Sequence, residues 1–170
     1  MYASIDSFIQ KNINKKDNIT FEIYIGKQKK ENIFSISLKK EDFVKKLENT
    51  NLNHSSFYTE KVLYKNNNIY IDKNKKKYNF LIKPLKKKWN KDYNLIMLCN
   101  REIPQKYYNH SNSNHKVFHE VIEINYETIN IYFIHSLKDQ SNEEHYYIKI
   151  KFKENTNITQ LCQIISTLSK

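Results

Sequence analysis

Thr20-Phe21-Glu22-Ile23-Tyr24-Ile25-Gly26 alternates polar and apolar side chains and ends on the only glycine in 170 residues. Successive side chains of a strand point to opposite faces, so Phe21, Ile23 and Ile25 form an apolar row and Thr20, Glu22 and Tyr24 a polar one. Tyr147-Ile148-Lys149-Ile150-Lys151-Phe152 repeats the pattern far along the chain, with Ile148, Ile150 and Phe152 opposite Tyr147, Lys149 and Lys151. Two distant strands of this kind predict a sheet wet on one side, or a barrel with a hydrophilic lumen.

Between them the chain reads as strands joined by short turns. Strand signals run from Ile33 to Leu38, Phe57 to Tyr64, Ile69 to Asp72, Tyr78 to Lys83, Tyr93 to Cys99, Val117 to Asn125 and Thr128 to Ser136. Lys27 to Lys30 reads as a basic turn, and Pro84 is expected to end its strand because it cannot donate to a ladder. Asn-rich turns at 65–68 and 73–77 suit hairpins, since Asn tolerates left-handed backbone. Helical spacing places Ile5, Phe8, Ile9 and Ile13 on one face after a Ser4 cap, and Phe43, Val44 and Leu47 on another. Leu161, Ile164, Ile165 and Leu168 form a third helix capped by Asn157 or Thr159. The expected fold is α+β: one domain over 1–170, an antiparallel eight-stranded tunnel-like β-barrel with flanking helices.

The 29 basic residues outnumber 18 acidic ones, giving +11, which points to a polyanionic neighbour such as RNA or polyphosphate. Cys99 and Cys162 lie far apart and outside any C-x-x-C spacing, which argues against a disulfide scaffold or structural zinc and implies a reducing compartment. No apolar run reaches the length of a membrane span and no signal peptide is visible, so a soluble, cytoplasmic protein without a membrane partner is expected.

A single glycine cannot build a phosphate loop, and no G-x-S-x-G elbow is present, which excludes those nucleotide-binding and hydrolase classes. The lysine-rich stretch Lys73 to Lys91 offers Lys86, Lys87 and Lys88 to a phosphate backbone and Trp89 as a base-stacking ring; a solvated hairpin is the plain alternative. His110, His115 and His119 have spacing that a metal could use, although loop histidines without matching acids are usually just polar residues.

The polar rows of the two strands resemble those of the triphosphatase tunnel metalloenzymes, in the form of the RNA 5′-triphosphatase domain of mRNA capping enzymes from large DNA viruses and fungi. That family's first strand reads Glu-x-Glu-x-Arg-x-Gly, its last strand reads Glu-x-Glu, and a divalent metal sits between the pairs in an eight-stranded tunnel. Here Gly26 takes the family glycine and Glu22 the second glutamate. Leu38, Phe43 and Leu47 take the helix face, Glu102 the later acid and Lys83 the tunnel lysine. Thr20 replaces the first glutamate, Tyr24 the arginine, Lys149 and Lys151 the late glutamate pair, and His135 a tunnel aspartate. A hard divalent cation needs carboxylate oxygens, and ammonium groups in their place repel it.

The resemblance implies a catalytically degraded RNA triphosphatase-like domain of a viral or fungal-type capping apparatus, placed in the cytoplasm, a viral factory or the virion. It would bind RNA 5′ ends or polyphosphate through Lys83, Lys149 and Lys151, or support a capping-enzyme subunit. No cofactor is then expected. In the alternative, Glu22 and Glu102 act catalytically with Mg or Mn, Glu22 being a weak metal ligand. A third reading is a non-enzymatic, basic RNA-binding β module.

Overall fold

The computed structural model describes residues 1–13, 18–31, 33–107 and 116–170. His110 and His115 lie outside them. Helix α1 (Tyr2–Asn12) precedes strand β1 (Ile19–Ile25), which leads into a two-stranded ribbon of β2 (Lys27–Lys30) and β3 (Ile33–Ser35). Helix α2 (Lys40–Glu48) follows, then β4 (Ser55–Lys65), β5 (Asn68–Lys73), β6 (Lys76–Asn90), β7 (Leu95–Pro104), β8 (Lys116–Tyr126), β9 (Ile129–Lys138), β10 (Glu144–Phe152) and helix α3 (Ile158–Ser169). All strands but the ribbon form a closed barrel in the order β1-β10-β9-β8-β4-β5-β6-β7. Every pairing in it is antiparallel. β1 closes the ring: Ile23 is opposite Ile150 on one side and Met97 on the other.

The polarity of the barrel wall changes halfway round. On β1, β7, β9 and β10 the apolar rows point outward, where Phe21, Ile23, Ile131, Phe133, Ile148 and Ile150 pack beneath the three helices. α1 contributes Ile5, Phe8 and Ile9 to this core, and α3 contributes Leu161, Ile165 and Leu168. Among the described residues, the buried cluster beneath the helices includes none from β4, β5 or β6, and Leu85 of β6 packs only at its edge. On those strands the apolar side chains Val62, Ile69, Ile71, Phe80 and Ile82 face the lumen instead. Apolar side chains go wherever water is excluded, and on an uncovered wall that is the inside.

Local chemistry accounts for several departures from the sequence reading. Pro84 does not end its strand: β6 runs through it, with a register shift between Pro84 and Lys86. A bulge leaves a residue unpaired, so the missing proline N–H removes no ladder bond. Lys27 to Lys30 is a strand rather than a turn, and Phe34 from its partner β3 packs over Gly26. A Cβ at Gly26 would overlap the Phe34 ring and the Ser35 carbonyl oxygen, which explains the glycine. Ser4 lies inside α1, whose N-cap is Met1, and Ser4 accepts from Asn90 Nδ2 at 3.2 Å. The asparagine turns are as expected, with Asn66 and Asn74 at positive φ, and the Asn157 side chain caps α3 by accepting from Gln160 N. Among the described residues no helix is long and apolar enough to cross a membrane.

Candidate functional site

The barrel encloses a cavity of about 940 Å³. The polar rows of β1 and β10 line it, placing Glu22, Tyr24, Tyr147, Lys149 and Lys151 on one wall opposite the apolar side chains of β5 and β6. Glu102 of β7 and Glu60 of β4 also line it. A second cavity of about 890 Å³ lies at the other end of β1, and Lys151 borders both.

The inward lysines do not lack counter-anions. Lys151 Nζ reaches over the small Thr20 to Glu102 Oε1 at 2.7 Å, and Thr20 Oγ1 is 3.5 Å from the same oxygen. Burial is the strongest single influence on Lys149 and acts against its charge. The opposing fields of Glu22 first, and of Glu60 among the weaker ones, outweigh burial and hold the ammonium above its usual range. Burial likewise pushes the Tyr24 hydroxyl up, with Glu22 and Tyr147 adding to it, and pushes Tyr64 up to about 12. The lumen therefore presents ammonium groups and protonated phenols, all hydrogen-bond donors.

A pH dependence follows. A lysine whose folded pKa is raised lends stability that is complete below its unfolded value of 10.5 and is lost as pH rises through the folded value. Tyr64 resists ionisation in the fold between 10.0 and about 12, so it also withdraws stability across that interval. Denaturant melts are expected to show constant stability from neutral pH to about pH 10 and a steep decline above it. A decline beginning near pH 8 would contradict this assignment.

The donor set does not suit a divalent metal. Glu102 is committed to Lys151, Glu60 to His119 at 3.1 Å, and Glu22 shares its surroundings with Lys149. Among the described residues no three His, Cys, Asp or Glu side chains cluster as a metal site. A hard cation there would share the lumen with the Lys149 and Lys151 ammonium groups, which repel it.

Glu22, Glu102, Lys149 and Lys151 thus converge on one enclosed space. Lys83 does not join them. It is exposed, while its strand neighbours Ile82 and Pro84 line the cavity, so alternation turns it outward. His135 also points outward, stacked on Tyr146 at 4.7 Å with its Nδ1 2.9 Å from Glu120; it is Ser136 that faces the lumen. The lysine run is split between the two sides of the wall: Lys86 and Lys87 line the cavity, whereas Lys88 reaches Ser4 outside at 3.5 Å. Trp89 is not an open stacking platform, because Phe34 meets it edge-on at 5.3 Å and Lys91 lies over its ring. Glu60 and Ser136 were missed by the sequence reading, which weighed His119 only as a metal ligand beside His110 and His115 and did not place it in the lumen. Their signal is the shared parity of Glu60 with Val62 and Tyr64, and of His119 with Val117.

No protein-family model matches the chain, and no curated protein matches it by sequence. Solved structures do match. The S. pombe Pct1 RNA triphosphatase superposes with a TM-score of 0.74 at 8% identity, over 97% of this chain and 82% of that one. The same enzyme in complex with the Spt5 CTD gives 0.68 at 7% identity, over 97% and 83%. The RNA triphosphatase domain of a trifunctional mimivirus mRNA capping enzyme gives 0.60 at 12% identity, over 98% and 95%. At these identities the likeness is one of fold, and the closed barrel with its helices is the tunnel fold of those RNA triphosphatases.

Proposed function

We propose that this tunnel is an RNA 5′-triphosphatase-like domain of an mRNA capping apparatus that binds the triphosphate end of RNA without a metal and without turnover. The observation that carries the reading is the two-sided lumen. One wall supplies Lys149, Lys151 and phenolic donors; the wall opposite, with Val62, Ile71, Phe80 and Ile82, is apolar. Phosphates gain charge-assisted hydrogen bonds on the first wall, and a nucleoside loses little by leaving water against the second. Bare polyphosphate uses only half of such a surface. Lys86 and Lys87 add positive charge to the lining and favour entry of an anion. The fold shared with a capping-enzyme domain supports the same reading, and the Spt5 CTD bound by the S. pombe enzyme makes a protein partner from that machinery a natural second ligand.

The test is a thermal and denaturant melt with tripolyphosphate, and then with triphosphate-ended oligoribonucleotide, each in chelator and again with manganese. Ligand at a hundred times its dissociation constant is expected to raise the unfolding free energy by about 2.7 kcal/mol in chelator. The oligoribonucleotide should bind more tightly than tripolyphosphate, and neither should release phosphate. Stabilisation that requires manganese, with phosphate release lost in Glu22→Ala, would establish the metal-dependent triphosphatase instead.

A further inference from the structure

The lumen carries a second polar group that the lysines do not account for. Ser136 of β9, His119 of β8 and Glu60 of β4 are successive cross-strand partners, and all three line the cavity. Directly opposed side chains on one face of an antiparallel pair stand about 4.5–5.5 Å apart at Cβ, so the three form one continuous row. His119 Nδ1 lies 3.1 Å from Glu60 Oε1. An ionised carboxylate only accepts, so Nδ1 carries a proton, the ring is fixed, and Nε2 is the nitrogen left over. His119 and Ser136 are 7% and 4% exposed. Among the described residues neither His119 Nε2 nor Ser136 Oγ has a hydrogen-bond partner. His145, the other neighbour of Ser136, differs: its nitrogens meet Glu143 at 3.0 Å and Ser37 at 3.3 Å.

Both atoms open on the lumen rather than into the packed wall, so a ligand there can meet them directly. We propose that His119 and Ser136 form a phosphoryl-binding contact, separate from Lys149 and Lys151, that grips the ligand's phosphate chain only when His119 is protonated. The contact rests on the reading of the lumen as a phosphate site. With Nδ1 turned to Glu60, a neutral imidazole offers Nε2 as an acceptor, which repels a phosphate oxygen; the imidazolium donates from both nitrogens. Glu60 on β4, Lys138 on β9 and Lys149 on β10 line the lumen with His119, while Glu143, just before β10, is occupied by Lys138 and His145. An arriving phosphate adds negative charge beside the ring, so binding draws a proton into His119.

The experiment is calorimetric titration of tripolyphosphate in chelator at about pH 6 and about pH 8, in buffers of different ionisation enthalpy, so that proton uptake is read directly. At about pH 6, His119→Gln is expected to bind about tenfold more weakly than the wild type, the worth of one charge-assisted hydrogen bond. The wild-type advantage should vanish at about pH 8, and the excess proton uptake should be absent from the variant. Ser136→Ala should bind several-fold more weakly and keep the uptake, whereas His145→Gln should leave the uptake unchanged. A His119→Gln variant with wild-type affinity and uptake would overturn the contact while the tunnel reading stands. A wild type that binds no tripolyphosphate would overturn both. If His119→Gln does not fold, the ¹⁵N resonances of the wild-type His119 ring decide, because an unchanged Nε2 signal at saturating tripolyphosphate refutes the contact.

Discussion

Replacing Phe21 by alanine is expected to lower the unfolding free energy by about 3–5 kcal/mol, the usual cost of emptying a buried phenylalanine site. Phe21 is fully buried, stacks on Phe152 with ring centroids 5.5 Å apart and meets Phe8 edge-on at 6.4 Å. It therefore joins α1, β1 and β10, and neither the closed barrel nor the helix can collapse into the space without the other moving. Typical domains have about 5–15 kcal/mol in total, so the variant should show a much lower urea midpoint. Phe57→Ala is the control: at 67% exposure on β4 it should change stability by no more than about 0.5 kcal/mol. Equal losses in the two variants would mean that the stretch of outer wall covered by the helices has been misassigned.

The second large effect is expected at Lys149. Lys149→Met leaves Glu22, 9% exposed, without the cation whose field it shares, and the expected loss is about 2–4 kcal/mol at neutral pH. Most of that is the cost of a stranded charge rather than the worth of the pair. Adding Glu22→Gln should therefore restore most of the stability, and the double-mutant cycle should give a coupling of more than about 1 kcal/mol. Neither Lys149→Met variant should be stabilised by tripolyphosphate. Additive losses in the cycle would show that the two side chains do not sense each other across the lumen.

How far the sequence could be read depended on which part of the wall a residue belongs to. On β1 and β10 the polar rows turned inward and the apolar rows outward under helices, so alternation put Glu22, Lys149 and Lys151 on one polar face and the family resemblance put that face inside a tunnel. The same rule failed on β6. Helix α1 reaches only its far end, at Lys88 and Asn90, so its apolar side chains Phe80 and Ile82 point inward and Lys83 faces solvent, the reverse of what an inward lysine required. Strand alternation states which residues share a face, but only the tertiary covering states which face is wet. His135 and Ser136 were exchanged for a similar reason, since one residue of register reverses every side chain. The Lys151–Glu102 pair was invisible because it crosses β1 and depends on Thr20 being small enough to be spanned. The row of Ser136, His119 and Glu60 required the pairing of three strands to be known.

Strand β1 lies between β7 and β10, so the residues that seal the ring at 19–25 must meet partners at 95–101 and 148–152. As the chain leaves the ribosome, one edge of β1 waits for β7 and the other, longer, for β10. Its outward row of Phe21, Ile23 and Ile25 waits with it for α3 at Ile158–Ser169. Contacts this distant in sequence form slowly, and unpaired strand edges recruit other chains in the interval. The barrel is consequently open to aggregation until residue 152 has appeared, and a chaperone that shields residues 19–25 during synthesis should raise the yield of folded barrel more than one acting only afterwards.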